Sequence, residues 1–344
     1  MRNKIILLAL LIISPQLVYG QTGEVTKVGS TAANFLGLEV GARAIALAGA
    51  FTAVANDGSS MYWNPAGMAY SDHIMVYYNR VNLYADMSHD FMGVIVPAGA
   101  NYFGVAFNYL NIGTMEKTTI DEPEGTDIFF TSSSMAISLS YARMLTDRIT
   151  FGVSGRYIHE QIWQEKADGM SADLGILFTP GLSGLRLGMS ITNLGPSIAM
   201  DDGPLQTFYR IPTEGQEGTG NRNMPAKYMV DSYPMPTSFQ LGAVFDVMGL
   251  NSSIIKNTAN RVSFVMEVND AFDNAMRSKF GLEYEWNKIL ALRGGYKQNY
   301  DLASYTFGAG LKIPYEGVDL RFDYAYADYG DLGNVQITSI QIGF

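Results

Sequence analysis

The residues best equipped for chemistry are few. The chain has three histidines, His73, His89 and His159, and no cysteine. His89 stands between Ser88 and Asp90, in a stretch read as an outer loop. Serine, histidine and aspartate are the nucleophile, base and orienting acid of acyl transfer. A hydrolase built on strands needs its serine and histidine opposed on neighbouring strands, which sequence adjacency does not supply, so solvated loop residues are the plainer reading. No HExxH, Walker loop or GxSxG is present. The lack of cysteine excludes disulfides and thiolate metal sites. Two acidic clusters (Asp121, Glu122 and Glu124; Asp201 and Asp202) carry carboxylates of the kind calcium takes, but without EF-hand spacing. No catalytic residue, metal or cofactor is assigned, and an enzyme is not expected.

A second set of charges is spread through the chain at intervals. Arg156, Arg186, Arg293, Lys297 and Arg321 recur against Asp173, Asp246, Glu267, Glu283, Asp319 and Asp323. Each sits on the small-residue face of an alternating segment. Opposite charges enclosed in a narrow space most often pair with one another, and a selectivity ring is the less favoured alternative.

The elements that carry these charges alternate with a period of two from Asp72 onward, which predicts strands. Phe103, Val105, Phe107 and Tyr109 alternate with Gly104, Ala106 and Asn108. Phe280, Leu282, Tyr284 and Trp286 alternate with Lys279, Gly281, Glu283 and Glu285. Val318, Leu320, Phe322, Tyr324 and Tyr326 alternate with Asp319, Arg321, Asp323 and Ala325. The large face carries almost no charge, and a charge facing lipid costs roughly 2–4 kcal/mol at the bilayer midplane. The other face is Gly, Ser, Thr and Ala, unlike the Lys- and Glu-rich outside of a soluble sandwich. Charged residues make up 16% of the chain against an aromatic 12%, a balance that suits strands between lipid and water. Tyr109, Tyr157, Trp286 and Tyr326 suit interfacial girdles. The pattern predicts an all-β transmembrane antiparallel barrel of about 14 strands, with short turns at one end and long loops near 112–127 and 195–235 at the other. The connection 248–260 is long for the short-turn end and leaves room for a missed or added strand.

The net charge of −10 argues against nucleic acid as a partner. At the start, Arg2 and Lys4 precede the apolar run Ile5–Ile13, and Val18, Tyr19 and Gly20 form a small-residue cleavage site. This reads as an export signal over 1–20, cleaved near Gly20. The expected organisation is that signal, an N-terminal segment over 21–70 and a barrel over 71–344. The segment 41–68 is dominated by small residues and ends in turn signals at Asp57-Gly58 and Asn64-Pro65. Composition alone leaves two readings: a short helix packed on one end of a β-domain, or a plug folded into the barrel. The terminal Ile340, Ile342 and Phe344 share one face, a pattern by which outer-membrane barrels are handed to their assembly machinery.

The same segment carries a family resemblance. Gly41-Ala42-Arg43-Ala44, the Ala53–Asp57 run with Asn56 and Asp57, and Tyr62-Trp63-Asn64-Pro65-Ala66-Gly67 resemble the N-terminal signature of the PorV/PorQ family. The resemblance extends more distantly to FadL-type transporters. It implies a bacterial outer-membrane barrel whose N-terminal hatch turns at Asn64, Pro65 and Ala66. It also implies a non-enzymatic role in type IX secretion or surface attachment. The partners implied are membrane lipid, exported proteins with C-terminal sorting domains, and translocon or attachment-complex subunits. The alternative from the FadL branch is a channel for hydrophobic molecules. The loop residues Met200, Phe208, Tyr209, Met224, Tyr228, Met229 and Tyr233 are the candidate contact surface, since Met and aromatics are enriched at interfaces; a loop folded back over its own barrel is the equal alternative.

Overall fold

A computed structural model describes residues 27–182, 184–200, 205–209, 224–252, 254–300, 302 and 304–344. The export signal and residues 210–223 lie outside the described residues, as do Asp201 and Asp202. The strands are β1 (Met75–Asn82), β2 (Ser88–Ala98), β3 (Asn101–Glu116), β4 (Phe129–Met144), β5 (Ile149–Ile162), β6 (Glu165–Phe178), β7 (Leu185–Leu194), β8 (Gln206–Tyr209), β9 (Met224–Lys227), β10 (Ser238–Met248), β11 (Asn260–Ala271), β12 (Arg277–Trp286), β13 (Leu290–Gln298), β14 (Tyr305–Tyr315), β15 (Val318–Asp328) and β16 (Asn334–Gly343).

All but β8 and β9 form one closed barrel of 14 antiparallel strands. β1 closes it against β16, with Met75 opposite Gly343. Closure leaves no unpaired edge, the condition for a β-structure to stand in lipid. The outward face is apolar around the whole circumference: Val105, Leu139, Leu241, Leu282, Leu292, Phe307 and Phe322 are all exposed. In water such a surface would be unstable; against acyl chains it is the expected wall.

The two ends differ. At the end holding the barrel's terminal residues, most connections are short, such as 99–100, 287–289 and 316–317. The connection 249–259 is the long one there. It adds no barrel strand: Gly249 and Ile255 bond through the backbone (3.0 Å), and the Ser252 hydroxyl donates to the Val247 carbonyl (2.7 Å). The opposite end carries 117–128 and 195–237, the latter containing the β8–β9 hairpin. β3 and β4 have 16 residues each, more than the ~9–11 that cross a bilayer. Their paired tips, Thr114–Glu116 with Phe129–Thr131, therefore extend the wall at this end.

The core lies inside the barrel, between the wall and residues 33–71. This inner segment is a chain of short helical turns: Asn34–Gly37, Ala42–Ala46, Ser60–Trp63 and Pro65–Tyr70. None is long enough to be stable alone, so packing must hold them. Leu47, Phe51, Met61 and Met68 are fully buried, and burying a side chain of this size contributes about 1.5–3 kcal/mol. Beside them the wall turns large side chains inward, Tyr77, Phe91 and Ile95 among them. Elsewhere it withdraws to glycine: Gly152, Gly175, Gly188 and Gly242 on β5, β6, β7 and β10, and Gly281, Gly295 and Gly308 on β12, β13 and β14, each face the segment. A Cβ at Gly188 would lie 2.5 Å from the Thr52 carbonyl oxygen and 2.6 Å from Ala53 Cα. The Gly face of the strands and the Ala content of 41–68 are thus two sides of one close contact.

Candidate functional site

The inner segment is held by buried charge as well as by fit. Arg43 is fully helical and enclosed; its Nε and Nη2 donate to the two carboxylate oxygens of Glu283 on β12, both at 2.9 Å. Its Nη1 donates to the Asn56 side-chain oxygen (2.5 Å) and meets Asp57 at 3.4 Å. Burial alone would pull the guanidinium pKa down; Glu283 and then Asp57 outweigh it and hold it well above the ordinary value. Glu283 also accepts from Arg293 (2.7 Å), which donates to Asp323 (2.7 Å), which accepts from Arg321 (2.7 Å). A line of alternating charge therefore runs from the segment across β12, β13 and β15. Paired and multiply hydrogen-bonded, these charges escape the several kcal/mol that isolated burial would cost each.

Asn64 anchors the following turn. Its side-chain oxygen accepts from Ala66 N (3.1 Å), capping Pro65–Tyr70. Its amide donates to the Thr52 carbonyl (2.9 Å) and to the Ile176 carbonyl of β6 (3.2 Å). Pro65 starts the helix, where its missing N–H costs nothing, and Ala66 seats on Gly152. Gly41 has φ +92, and a Cβ there would lie 2.9 Å from the Tyr77 hydroxyl. Gly67 sits where a Cβ would lie 2.5 Å from the Ala55 carbonyl. The motif residues Gly41, Ala42, Arg43, Ala44, Asn56, Asp57, Asn64, Pro65, Ala66 and Gly67 thus meet in one packed unit.

Above that unit, toward the long loops, lies a cavity of about 400 Å³. Its floor includes Glu39, Tyr62 and Trp63 of the inner segment; Lys279, Lys297, Arg277 and Tyr300 stand around it. Lys297 Nζ lies 2.6 Å from Glu39, and Lys279 Nζ lies 3.7 Å from it and 3.3 Å from Glu267. Burial pushes the Glu39 carboxyl up; Lys297 and Lys279 outweigh burial and hold it below its ordinary 4.5. Arg277 stacks over the Tyr300 ring at 4.3 Å. The Tyr62 hydroxyl bonds the Leu36 and Leu38 carbonyls, both at 2.8 Å. The cavity therefore sets a cluster of charges beside apolar lining residues such as Leu36, Leu38, Trp63 and Leu302.

The 195–237 connection rises beside it. Ile198 pairs with Tyr233 at its base, and the Pro234 carbonyl accepts from Ala32 N (2.9 Å), tying the loop to the inner segment. Met200 packs half-buried against the core below. Phe208 is 66%, Tyr228 63% and Met229 100% exposed; Met224 and Tyr233 are also exposed. Nothing is described of the Tyr209 side chain. Ile340 and Phe344 face outward from the last strand, and Phe344 N donates to the Ile74 carbonyl (3.0 Å).

The expectation for His89 requires correction. It lies on β2, not in a loop, fully buried and hydrogen-bonded to Asn108 of β3. It shares its face with Phe91 and Ile95, a parity that was readable. His159 bonds Asp168 (2.8 Å), and Asp121, Glu122 and Glu124 are solvated on the β3–β4 loop. Glu39, Lys279 and Arg261 take part in the buried ion pairs without having been singled out. Glu39 comes from a segment with no periodicity, whereas Lys279 alternated in plain view with Phe280.

A family model described as "Type IX secretion system protein PorV" matches residues 21–233. No curated protein matches the chain. Among solved structures, the fold is similar to the CymD monoaromatic hydrocarbon channel, with TM-score 0.56 and 12% identity over 89% of this chain and 97% of that one. It is also similar to the Ralstonia pickettii toluene transporter TbuX, with TM-score 0.53 and 13% identity over 88% and 96%. A third likeness is to the Pseudomonas putida toluene transporter TodX, with TM-score 0.52 and 11% identity over 86% and 96%. At these identities the likeness concerns the fold.

Proposed function

The chain belongs to the PorV family of type IX secretion system proteins, and from that membership we propose that it is a non-enzymatic outer-membrane component that engages exported proteins at the cell surface. The short-turn end then faces the periplasm and the long-loop end the exterior, as in bacterial barrels generally. The observation that carries the reading is the exposed apolar set on the long outer connection, Phe208, Tyr228 and Met229, set on a rigid lipid-embedded wall. Met and aromatic side chains adapt to partners and carry interface energy. The partners proposed are exported proteins bearing C-terminal sorting domains, and subunits of the translocon or attachment complex.

In this reading the inner segment acts as a fixed hatch. Its charges pair with the wall, and its backbone seats on wall glycines, so opening the lumen would take Arg43 from Glu283 and the Phe51 and Thr52 amides from Glu267. A path for hydrocarbons, the cargo named for the structural relatives, fits poorly with a vestibule ringed by Glu39, Lys279, Lys297 and Arg277. An apolar solute there would displace water from charged groups.

The test is a deletion within 200–230 that leaves β7 and β10 intact. Export or surface attachment of sorting-domain proteins should be lost while the barrel still inserts. Unchanged export would overturn the proposal. Loss of uptake of a hydrophobic compound on substitution of Asn64 or Pro65, with export intact, would favour transport instead.

A further inference from the structure

The periplasmic end carries a second cavity, of about 670 Å³, that the proposed partner role does not use. It lies between the β6–β7 turn and the long 249–259 connection, with Asn56 and Tyr70 of the inner segment on its inner side. Among the described residues, three cations line it: Arg186, Arg261 and Lys256. Its one lining carboxylate among the described residues, Asp246, is already engaged by Arg261 (3.0 Å) and by the Ser263 hydroxyl (2.8 Å). Arg261 is further compensated by Glu285 at 3.3 Å.

Arg186 is in a different position. Its Nε donates to the Ala53 carbonyl (2.6 Å) and its Nη2 to the Val54 carbonyl (3.2 Å), and it stacks on the Tyr70 ring at 4.9 Å. These partners are dipoles and a π-face, not charges. Among the described residues, no carboxylate lies within ion-pair distance of Arg186 or Lys256. The cavity thus holds two positive charges beyond its internal balance, one of them on a side chain fixed by two backbone bonds. A partly desolvated, preorganised guanidinium is a strong site for a planar or tetrahedral oxyanion. Asn56 gives its side-chain oxygen to Arg43 (2.5 Å), which leaves its amide hydrogens as further donors.

We propose that this periplasmic cavity binds a single oxyanion, a carboxylate or phosphate group, between Arg186 and Lys256. The unusual length of the 249–259 connection then has a use, since it brings Lys256 over the mouth of the barrel. The site lies inside the wall, apart from bilayer headgroups, so its natural ligand is a soluble anion or the oxyanionic end of a longer periplasmic solute.

The test is isothermal titration of inorganic phosphate, and separately of acetate, into the purified full-length barrel in a neutral detergent and chloride buffer. Saturable, salt-sensitive binding is expected. Arg186→Gln and Lys256→Gln should each weaken it by about ten-fold or more, the loss of one charge-assisted contact. Lys256→Gln makes no bond to the inner segment, so its effect cannot come from loosening that segment. Phosphate binding alone would indicate a phosphorylated ligand, and binding of both would admit a peptide carboxylate; either supports the site. No saturable binding of either anion, or binding that both variants leave unchanged, would overturn it.

Discussion

Replacing Arg43 by methionine isolates what the buried charges contribute to holding the inner segment. The substitution keeps most of the side-chain volume and removes two bonds to Glu283, one to Asn56 and the ion pair with Asp57. Each charge-assisted bond contributes about 1.5–3 kcal/mol, but their sum overstates the loss. Glu283 keeps Arg293 at 2.7 Å, and Asp57 keeps the Ser59 hydroxyl and amide. Breaking one partner of a buried pair costs about 3–5 kcal/mol; the surviving partners place this case near the lower figure. Docking of the segment should then weaken by about a hundred-fold or more. Amide hydrogen exchange read over residues 42–57 in detergent measures it, with the barrel strands as internal reference. The double variant Arg43→Met, Glu283→Leu removes both charges and leaves Arg293 paired with Asp323 at 2.7 Å. It should recover more than half of the lost protection, because replacing a whole buried pair costs far less than orphaning one member. Unaltered protection in the single variant, or a double variant worse than either single, would refute the reasoning.

Further expectations concern fit, capping and pH. Gly188→Leu forces side-chain atoms into the Thr52 carbonyl and Ala53 Cα; it should cost about 3 kcal/mol or more, seen as faster exchange in the inner segment or a lowered melting temperature with β-content retained. Asn64→Ala removes the cap on Ala66 and the donors to Thr52 and Ile176; a loss of about 2–3 kcal/mol should appear as faster proteolysis within the inner segment. Glu39 has its carboxyl held below 4.5 by Lys297 and Lys279 despite burial. A depressed carboxylate stabilises above its unfolded pKa and loses that stability as pH falls through the folded one. Protection of the inner segment should therefore be flat near neutrality and fall only below 4.5. Lys297→Met removes the nearer of the two cations and leaves Lys279 alone against burial, which raises the carboxyl relative to the native protein and moves the loss to higher pH in the same exchange experiment.

Much of the wall was legible because lipid imposes a strict rule on every strand. The Phe103–Tyr109 and Val318–Tyr326 stretches show that rule as plain alternation, and their large members do face outward. The rule loosens where the wall meets the inner segment, since both sides of a strand can then be apolar. Phe91 and Ile95 turn inward onto Met61 and Tyr62, and that is where His89 was misread as loop. The charge pairs were legible as a set but not as partners: Arg156 with Asp173, Arg293 with Glu283 and Asp323. Partnering depends on which strands neighbour each other and on Glu39 and Arg43, which arrive from a segment without period. The length of 249–259 raised the question of a further strand; local bonds at Gly249 and Ser252 fold it back on itself instead.

The most direct test of the secretion role is photo-crosslinking from the outer connection. A photoreactive residue at position 229, whose native Met229 is wholly exposed, would be activated in living cells, and the products would be identified by mass spectrometry from gently solubilised outer membranes. Adducts are expected with exported proteins carrying C-terminal sorting domains, or with a large secretion subunit, and none from the same probe at the periplasmic Glu316. Adducts with lipid alone, while export proceeds normally, would contradict that role.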